Sequence, residues 1–156
     1  MVVMDFMQQV RLAIYEMTVA DHQVPSFEEL AAARSLDGTA VRDAYHALAD
    51  AHIIVLERGS MKVWSAPPFS AVQTPFQVRR PSQDTRALDA RSWYAPCAWD
   101  AFGIPAALKK DVVIDAYCAE SGVPLPAAVR DGKATGSGII HLEVPAKHFW
   151  DDIFYT

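Results

Sequence analysis

The chain has 156 residues, 51% of them hydrophobic and 21% charged, with a formal net charge of −5. That composition describes a folded chain long enough to bury a core, as one domain or two small ones sharing a face, and it excludes charge-driven disorder. The acidic balance, with no long basic run, argues against a protein whose main task is holding nucleic acid.

Two cysteines, Cys97 and Cys118, are the whole complement and make no disulfide framework. No apolar run approaches the roughly 18 residues a membrane helix needs, and no charged leader precedes one. The expectation is no signal peptide, no membrane span and a cytoplasmic location.

In chain order, Phe6, Val10, Ala13, Ile14 and Met17 recur at helical spacing, which predicts a helix over residues 1–20. Ser26 with Glu29 three positions on forms a capping box that opens a second, short helix. Asp37 or Thr39 caps a third through Val41, Ala44, Tyr45, Leu48 and Ala49. Residues 53–56 and 61–64 then read as a β-hairpin turned by Glu57-Arg58-Gly59-Ser60. Three helices and a two-stranded wing make a winged-helix-like unit over residues 1–66. Its five Lys/Arg against nine Asp/Glu leave −4, so it reads as a packing module and not as a DNA reader.

Pro67-Pro68 marks a boundary, and residues 67–156 read as a second, α+β domain. Extended chain is expected around 75–80, a loop at 81–84 and a short strand at Trp93. A helix over 97–108 follows, kinked or broken after Phe102 by Gly103 and Pro105. Residues 112–118 and 138–144 read as strands, with turns at 120–122 and 130–133, giving a small antiparallel sheet against that helix. The last segment, from Pro145, offers Phe149, Trp150, Ile153, Phe154 and Tyr155 for packing.

The chemistry concentrates at Cys97 and Asp100. With a helix starting near Pro96, the i,i+3 spacing projects thiol and carboxylate from one side of the first turn. Unpaired N–H groups and the positive helix end there favour thiolate. The same spacing equally describes a small buried cysteine and a first-turn helix stabiliser. Trp93, Tyr94 and Trp99 are suited to wall an apolar pocket or to fill a core. Asp151 and Asp152 either line a cleft opposite Cys97 or face water. His141, expected mid-strand, and His148 read as packed or surface residues, with a proton-carrying role only if they point inward. The histidines are too scattered for a structural zinc site.

Several blocks together carry a resemblance: Pro68-Phe69-Ser70, Pro75-Phe76-Gln77-Val78, the run from Trp93 to Ala101 with Ile104-Pro105-Ala106, the run from Cys118 to Pro124, and Phe149-Trp150-Asp151-Asp152-Ile153. The chain resembles the organomercurial (alkylmercury) lyase family, most specifically over residues 97–106. The resemblance implies an enzyme that protonolyses a carbon–mercury bond, with Cys97 as thiolate ligand and Asp100 as proton-transfer group and mercury ligand. It implies no organic cofactor, mercury arriving as part of a small apolar organometallic substrate, cellular thiols as partners, and a structural role for Cys118. Soft thiolates suit a soft metal.

The family pattern also has a second catalytic cysteine near the C-terminus, whereas no cysteine follows Cys118 here. A gapless match sets Asp151 at that place. Either the chain is a shortened form, or it runs altered, mercury-independent lyase or isomerase chemistry on an apolar organic molecule with Cys97, Asp100 and Asp151 or Asp152 as catalytic residues. A non-enzymatic winged-helix regulator is the third reading.

Overall fold

In a computed structural model describing residues 4–81, 92–118 and 120–154, the first third of the chain is helical because each helix carries its own start signal. Helix α1 (Phe6–Asp21) is capped by Asp5, whose carboxylate accepts from the Gln8 N–H at 2.8 Å, and it buries Val10, Ala13, Ile14 and Thr18. Helix α2 (Phe27–Arg34) has the expected capping box. The Glu29 N–H donates to the Ser26 hydroxyl at 3.2 Å, and the Ser26 N–H to the Glu29 carboxylate at 2.8 Å. Asp37, not Thr39, caps α3 (Gly38–Asp50), accepting from Ala40 N–H at 2.8 Å. Helices α1 and α2 both pack on α3, whose Val41, Ala44, Tyr45 and Leu48 are buried.

The strands form one antiparallel sheet: β1 (Val55–Leu56), β2 (Val63–Ala66), β3 (Phe69–Ser70), β4 (Gln77–Arg79), β5 (Ser92–Tyr94), β6 (Val112–Asp115), β7 (Ala127–Arg130) and β8 (Lys133–Gly136). Their spatial order is β1-β2-β3-β5-β4-β6-β7-β8. The fold is therefore α+β. The boundary expected at residue 66 falls inside this sheet, since Ala66 of β2 pairs with Phe69 of β3 across the Pro67–Pro68 turn. One apolar core likewise runs from Val10 and Leu48 through Val78 and Trp93 to Ile114.

Helix α4 (Ala98–Leu108) lies against β4 and is unbroken. The expected interruption after Phe102 does not occur. Pro105 sits in the second half of the helix, where its missing N–H costs one bond, and its carbonyl still accepts from Lys109 N–H at the left-handed cap. Gly103 serves close approach, because a Cβ there would sit 3.0 Å from the Pro68 Cβ.

Two strand expectations need correction. Strand β6 ends at Asp115, and only a single Tyr117–Pro124 bridge continues it. Residues 138–144 are not a strand. Arg130-Asp131-Gly132-Lys133 does turn the chain, with Asp131 and Gly132 both at positive φ, but the returning strand β8 stops at Gly136. Gly136 and Gly138 adopt φ of 144° and 128°, which turns the chain out of the ladder and leaves 138–144 as an irregular strap. Ser82–Asp84 of the expected loop lies outside the described residues, as do Met1–Val3 of the first predicted helix and Tyr155.

Trp93 belongs to the core and not to a pocket. It is 1% exposed, its Nε1–H donates to the Thr18 carbonyl at 3.0 Å, and its ring stacks on His22 with centroids 4.4 Å apart. It thereby ties β5 to the end of α1. Trp93→Ala is expected to cost about 3–5 kcal/mol of folding stability, the range for emptying a buried aromatic site. Urea unfolding followed by far-UV circular dichroism checks this; a loss below about 1 kcal/mol would contradict the core assignment.

Candidate functional site

The passage from β5 into α4 is fixed from both sides by β4 and the loop before it. Ala95 N–H donates to the Phe76 carbonyl at 2.9 Å, and the Thr74 hydroxyl donates to the Ala95 carbonyl at 2.6 Å. With Ala95 held and Pro96 restricting φ, Cys97 takes an extended conformation (φ −147°, ψ 176°) and becomes the N-cap of α4. Its carbonyl accepts the Ala101 N–H at 3.0 Å, the first bond of the helix. Asp100 is then the third helical residue, and the thiol donates to its Oδ2 at 3.3 Å.

The expected pairing of thiol and carboxylate on one side of the turn is therefore present, but its electrostatics run the other way. Burial pushes the Cys97 thiol above its ordinary value. The Asp100 and Trp99 N–H groups pull it down, yet the Asp100 charge and the hydrogen bond to its carboxylate push it up again, and the net direction is up. Burial also raises Asp100, partly offset by the thiol donating to it. Both shifts favour the protonated forms, and the geometry sets the thiol as donor and the Asp100 carboxyl oxygen as acceptor. Tyr15 of α1, whose hydroxyl donates to the Pro67 carbonyl at 3.0 Å, also lies within reach of the Asp100 charge.

Cys97, Asp100 and Trp99 line a cavity of about 490 Å³. Besides the start of α4 with Pro67 and Phe76, its walls come from three distant segments. Val55, Trp64 and Ser65 belong to the β1–β2 hairpin; His141 and Glu143 to the strap; Phe149, Trp150 and Ile153 to the C-terminal segment. Trp99, 65% exposed, is the one member of the expected aromatic trio that lines it. Trp93 is in the core and Tyr94 pairs within the sheet.

Asp151 is not brought to the cavity. Phe149, Trp150 and Ile153 present one side of the final turns, and the two aspartates between them fall on the other. Asp151 is 74% exposed and sits 2.8 Å from His148 Nδ1, while Asp152 accepts from Arg58 at 2.9 Å. Neither Asp151 nor His148 meets Cys97.

His141, which the sequence places mid-strand, lies instead on the strap and lines both this cavity and a neighbouring one of about 580 Å³. Glu143 and Trp64 were not singled out by sequence reasoning. Alternation in β2 was the available signal for Trp64, since Val63 and Ser65 are buried and Trp64 is not. In the strap the alternation Ile140-His141-Leu142-Glu143-Val144 puts Glu143 at the position equivalent to His141, although no strand forms there.

Cys118 lines the second cavity, not the first. It is not packed in an apolar strand, because β6 has already ended; it sits partly exposed in the following turn. Hydrogen bonds from the Ser121 hydroxyl and from the N–H groups of Ser121 and Glu120 lower its thiol, opposite to Cys97. Among the described residues no group of three His, Cys, Asp or Glu side chains is placed to hold a metal ion, and no helix is long and apolar enough to cross a membrane.

No curated protein matches the chain. Among solved structures it is similar to one described as the crystal structure of the mercury-bound form of MerB2, with a TM-score of 0.57 and 25% identity. That similarity covers 82% of this chain and 59% of the other, so the chain spans about three fifths of that protein's length. The profile of the alkylmercury lyase (MerB) family matches residues 69–155, which include β4, β5, the whole of α4 and the strap. With over half of its length matched in this way, the chain belongs to the alkylmercury lyase family.

Proposed function

We propose that the chain is an organomercurial lyase that cleaves a carbon–mercury bond by protonolysis, with Cys97 as the mercury-capturing thiol and Asp100 as the proton-transfer group. The observation that carries this reading is the 3.3 Å hydrogen bond from the Cys97 thiol to Asp100 at the wall of a largely apolar cavity, inside the family-matched region.

The proton inventory fits the reaction. Sulfur attacks mercury and displaces the ligand opposite the organic group, while the thiol proton passes along the existing hydrogen bond to Asp100. The neutral Asp100 carboxyl then gives that proton to the carbon as the carbon–mercury electron pair leaves mercury, and the hydrocarbon departs. Mercury remains on the Cys97 sulfur, its positive charge facing the regenerated Asp100 carboxylate. Raised affinities for protons at both groups keep the required proton inside the site until the carbanion needs it. Thiolate is the right donor for so soft a metal, and cellular thiols are the chemically matched acceptors for its removal. Trp64, Trp99 and Phe149 supply apolar surface for the organic group.

A second reading draws on Glu143, the carboxylate that shares the cavity with Asp100. Two carboxylates suit mercury-independent acid–base chemistry on an apolar organic molecule. That chemistry would need Glu143 and survive Cys97→Ser, whereas the lyase would not.

Two measurements bear on the proposal. Headspace gas chromatography with methyl- and phenylmercury substrates is expected to show hydrocarbon release that Cys97→Ser abolishes and Asp100→Asn lowers about 10²–10⁴-fold, the usual worth of a positioned proton donor. Reduced wild-type chain that binds the organomercurial but releases no hydrocarbon above the uncatalysed rate would end the lyase reading. The second is the pH profile of Cys97 alkylation by iodoacetamide in a Cys118→Ser background. Only thiolate reacts, so a raised thiol makes the rate slow at neutral pH and moves its midpoint above the ordinary 9.0. Asp100→Asn removes the negative charge that opposes thiolate, so the midpoint moves down and the neutral-pH rate rises. A midpoint that stays put, or moves up, would show that the carboxylate does not control the thiol.

A further inference from the structure

Residues 145–154 contain a single turn of 3-10 helix, Ala146–His148, and no strand, so no backbone ladder fixes them to the sheet. They are held through side chains supplied by residues 52–64. The Trp150 ring lies on the His52 imidazole with centroids 4.2 Å apart and planes 4° from parallel. Trp64 packs on Phe154 at 5.2 Å, and the Arg58 guanidinium lies 5.1 Å over the same ring while pairing with Asp152 at 2.9 Å. An exposed ion pair contributes little alone, so the ring contacts carry the attachment. The cavity face of the same segment is Phe149, Trp150 and Ile153, set in one wall of the space that holds Cys97 and Asp100.

We infer that this clasped segment sets how large an organic group can reach Cys97, with Trp150 as a specificity-determining side chain and His52 as its positioning residue. The inference rests on the reading of Cys97 as the reactive thiol, and adds a size limit on the organic group, set by the Trp150 wall of a cavity of about 490 Å³. His52 touches no reacting atom. It acts by fixing the plane of Trp150, and its left-handed backbone (φ 59°) at the end of α3 places the imidazole beside that ring. Residues 52–64 thus shape the site from outside the family-matched region.

The test is size-selective labelling of Cys97 in the full chain carrying Cys118→Ser. The rate constant for iodoacetamide is compared with that for N-phenylmaleimide, and their ratio removes any change in thiol reactivity common to both. Trp150→Ala is expected to raise the relative rate of the bulky reagent about tenfold, the scale of discrimination an apolar pocket gives for small differences in size. His52→Ala gives a smaller shift in the same direction, and His52→Phe, which keeps a flat ring under Trp150, restores the original ratio. An unchanged ratio in Trp150→Ala overturns the wall. A shift in Trp150→Ala with none in His52→Ala, or His52→Phe behaving like His52→Ala, overturns the positioning role. The readout needs no turnover, so a failure of hydrocarbon release would remove the lyase reading and leave this result standing.

Discussion

Everything at the site follows from how Ala95 is held. Its N–H and carbonyl are both taken by the chain segment around Thr74 and Phe76, so β5 cannot continue and the next residues must turn. Pro96 limits the turn, Cys97 takes the N-cap, and the geometry of a single helical turn brings Asp100 to the thiol. The reactive pair is therefore local in sequence, yet its placement depends on β4, which is itself central, paired on both sides and fully buried at Val78. A helix start is usually a place where negative charge is welcome. Here burial and a carboxylate partner reverse that preference, and the Cys97 thiol is raised where the helix end alone would lower it.

That reversal separates the two cysteines chemically. Cys118, in a turn where a hydroxyl and two N–H groups face its sulfur, has its thiol lowered, whereas burial raises that of Cys97. A thiolate captures mercury faster, but it brings no proton. A thiol that passes its proton to an adjacent carboxylate delivers the metal ligand and the leaving group's proton in one unit. The slower partner is thus the one suited to protonolysis, and neither partner needs a second cysteine for the bond-breaking step as proposed.

The legible parts of the sequence were those whose cause lies within four residues. Ser26 with Glu29, Asp37 at the head of α3, the Asp131-Gly132 turn and the Cys97–Asp100 pairing are all settled by local geometry, and each is present. Failures arose where a distant neighbour decides. Gly103 looked like a helix breaker because its reason, the Pro68 ring 3.0 Å from where a Cβ would be, lies 35 positions away in sequence. The run from Ile139 to Val144 has strand-like residues, but a strand needs a partner, and the two glycines before it turn it away from β7. Asp151 was matched by position along the chain, whereas the facing of Phe149, Trp150 and Ile153 decides which side chains reach the cavity.

The division between local chemistry and distant walls has a functional consequence. In the proposed reaction the groups that move the proton and bind the metal sit, with Trp99, on one turn of α4, but most of the other cavity walls come from residues 55–65, 140–144 and 149–153. Those three segments take no part in the bonds that hold Ala95 or start α4, whereas Phe76, which also lines the cavity, accepts the Ala95 N–H. The acidic N-terminal helices then have a role that their charge, unsuited to nucleic acid, leaves open. Through Trp93 they brace β5, while His52, just past α3, and Arg58, in the β1–β2 turn, hold the far wall. Breaking that bracing would loosen what the site admits before it altered what the site does.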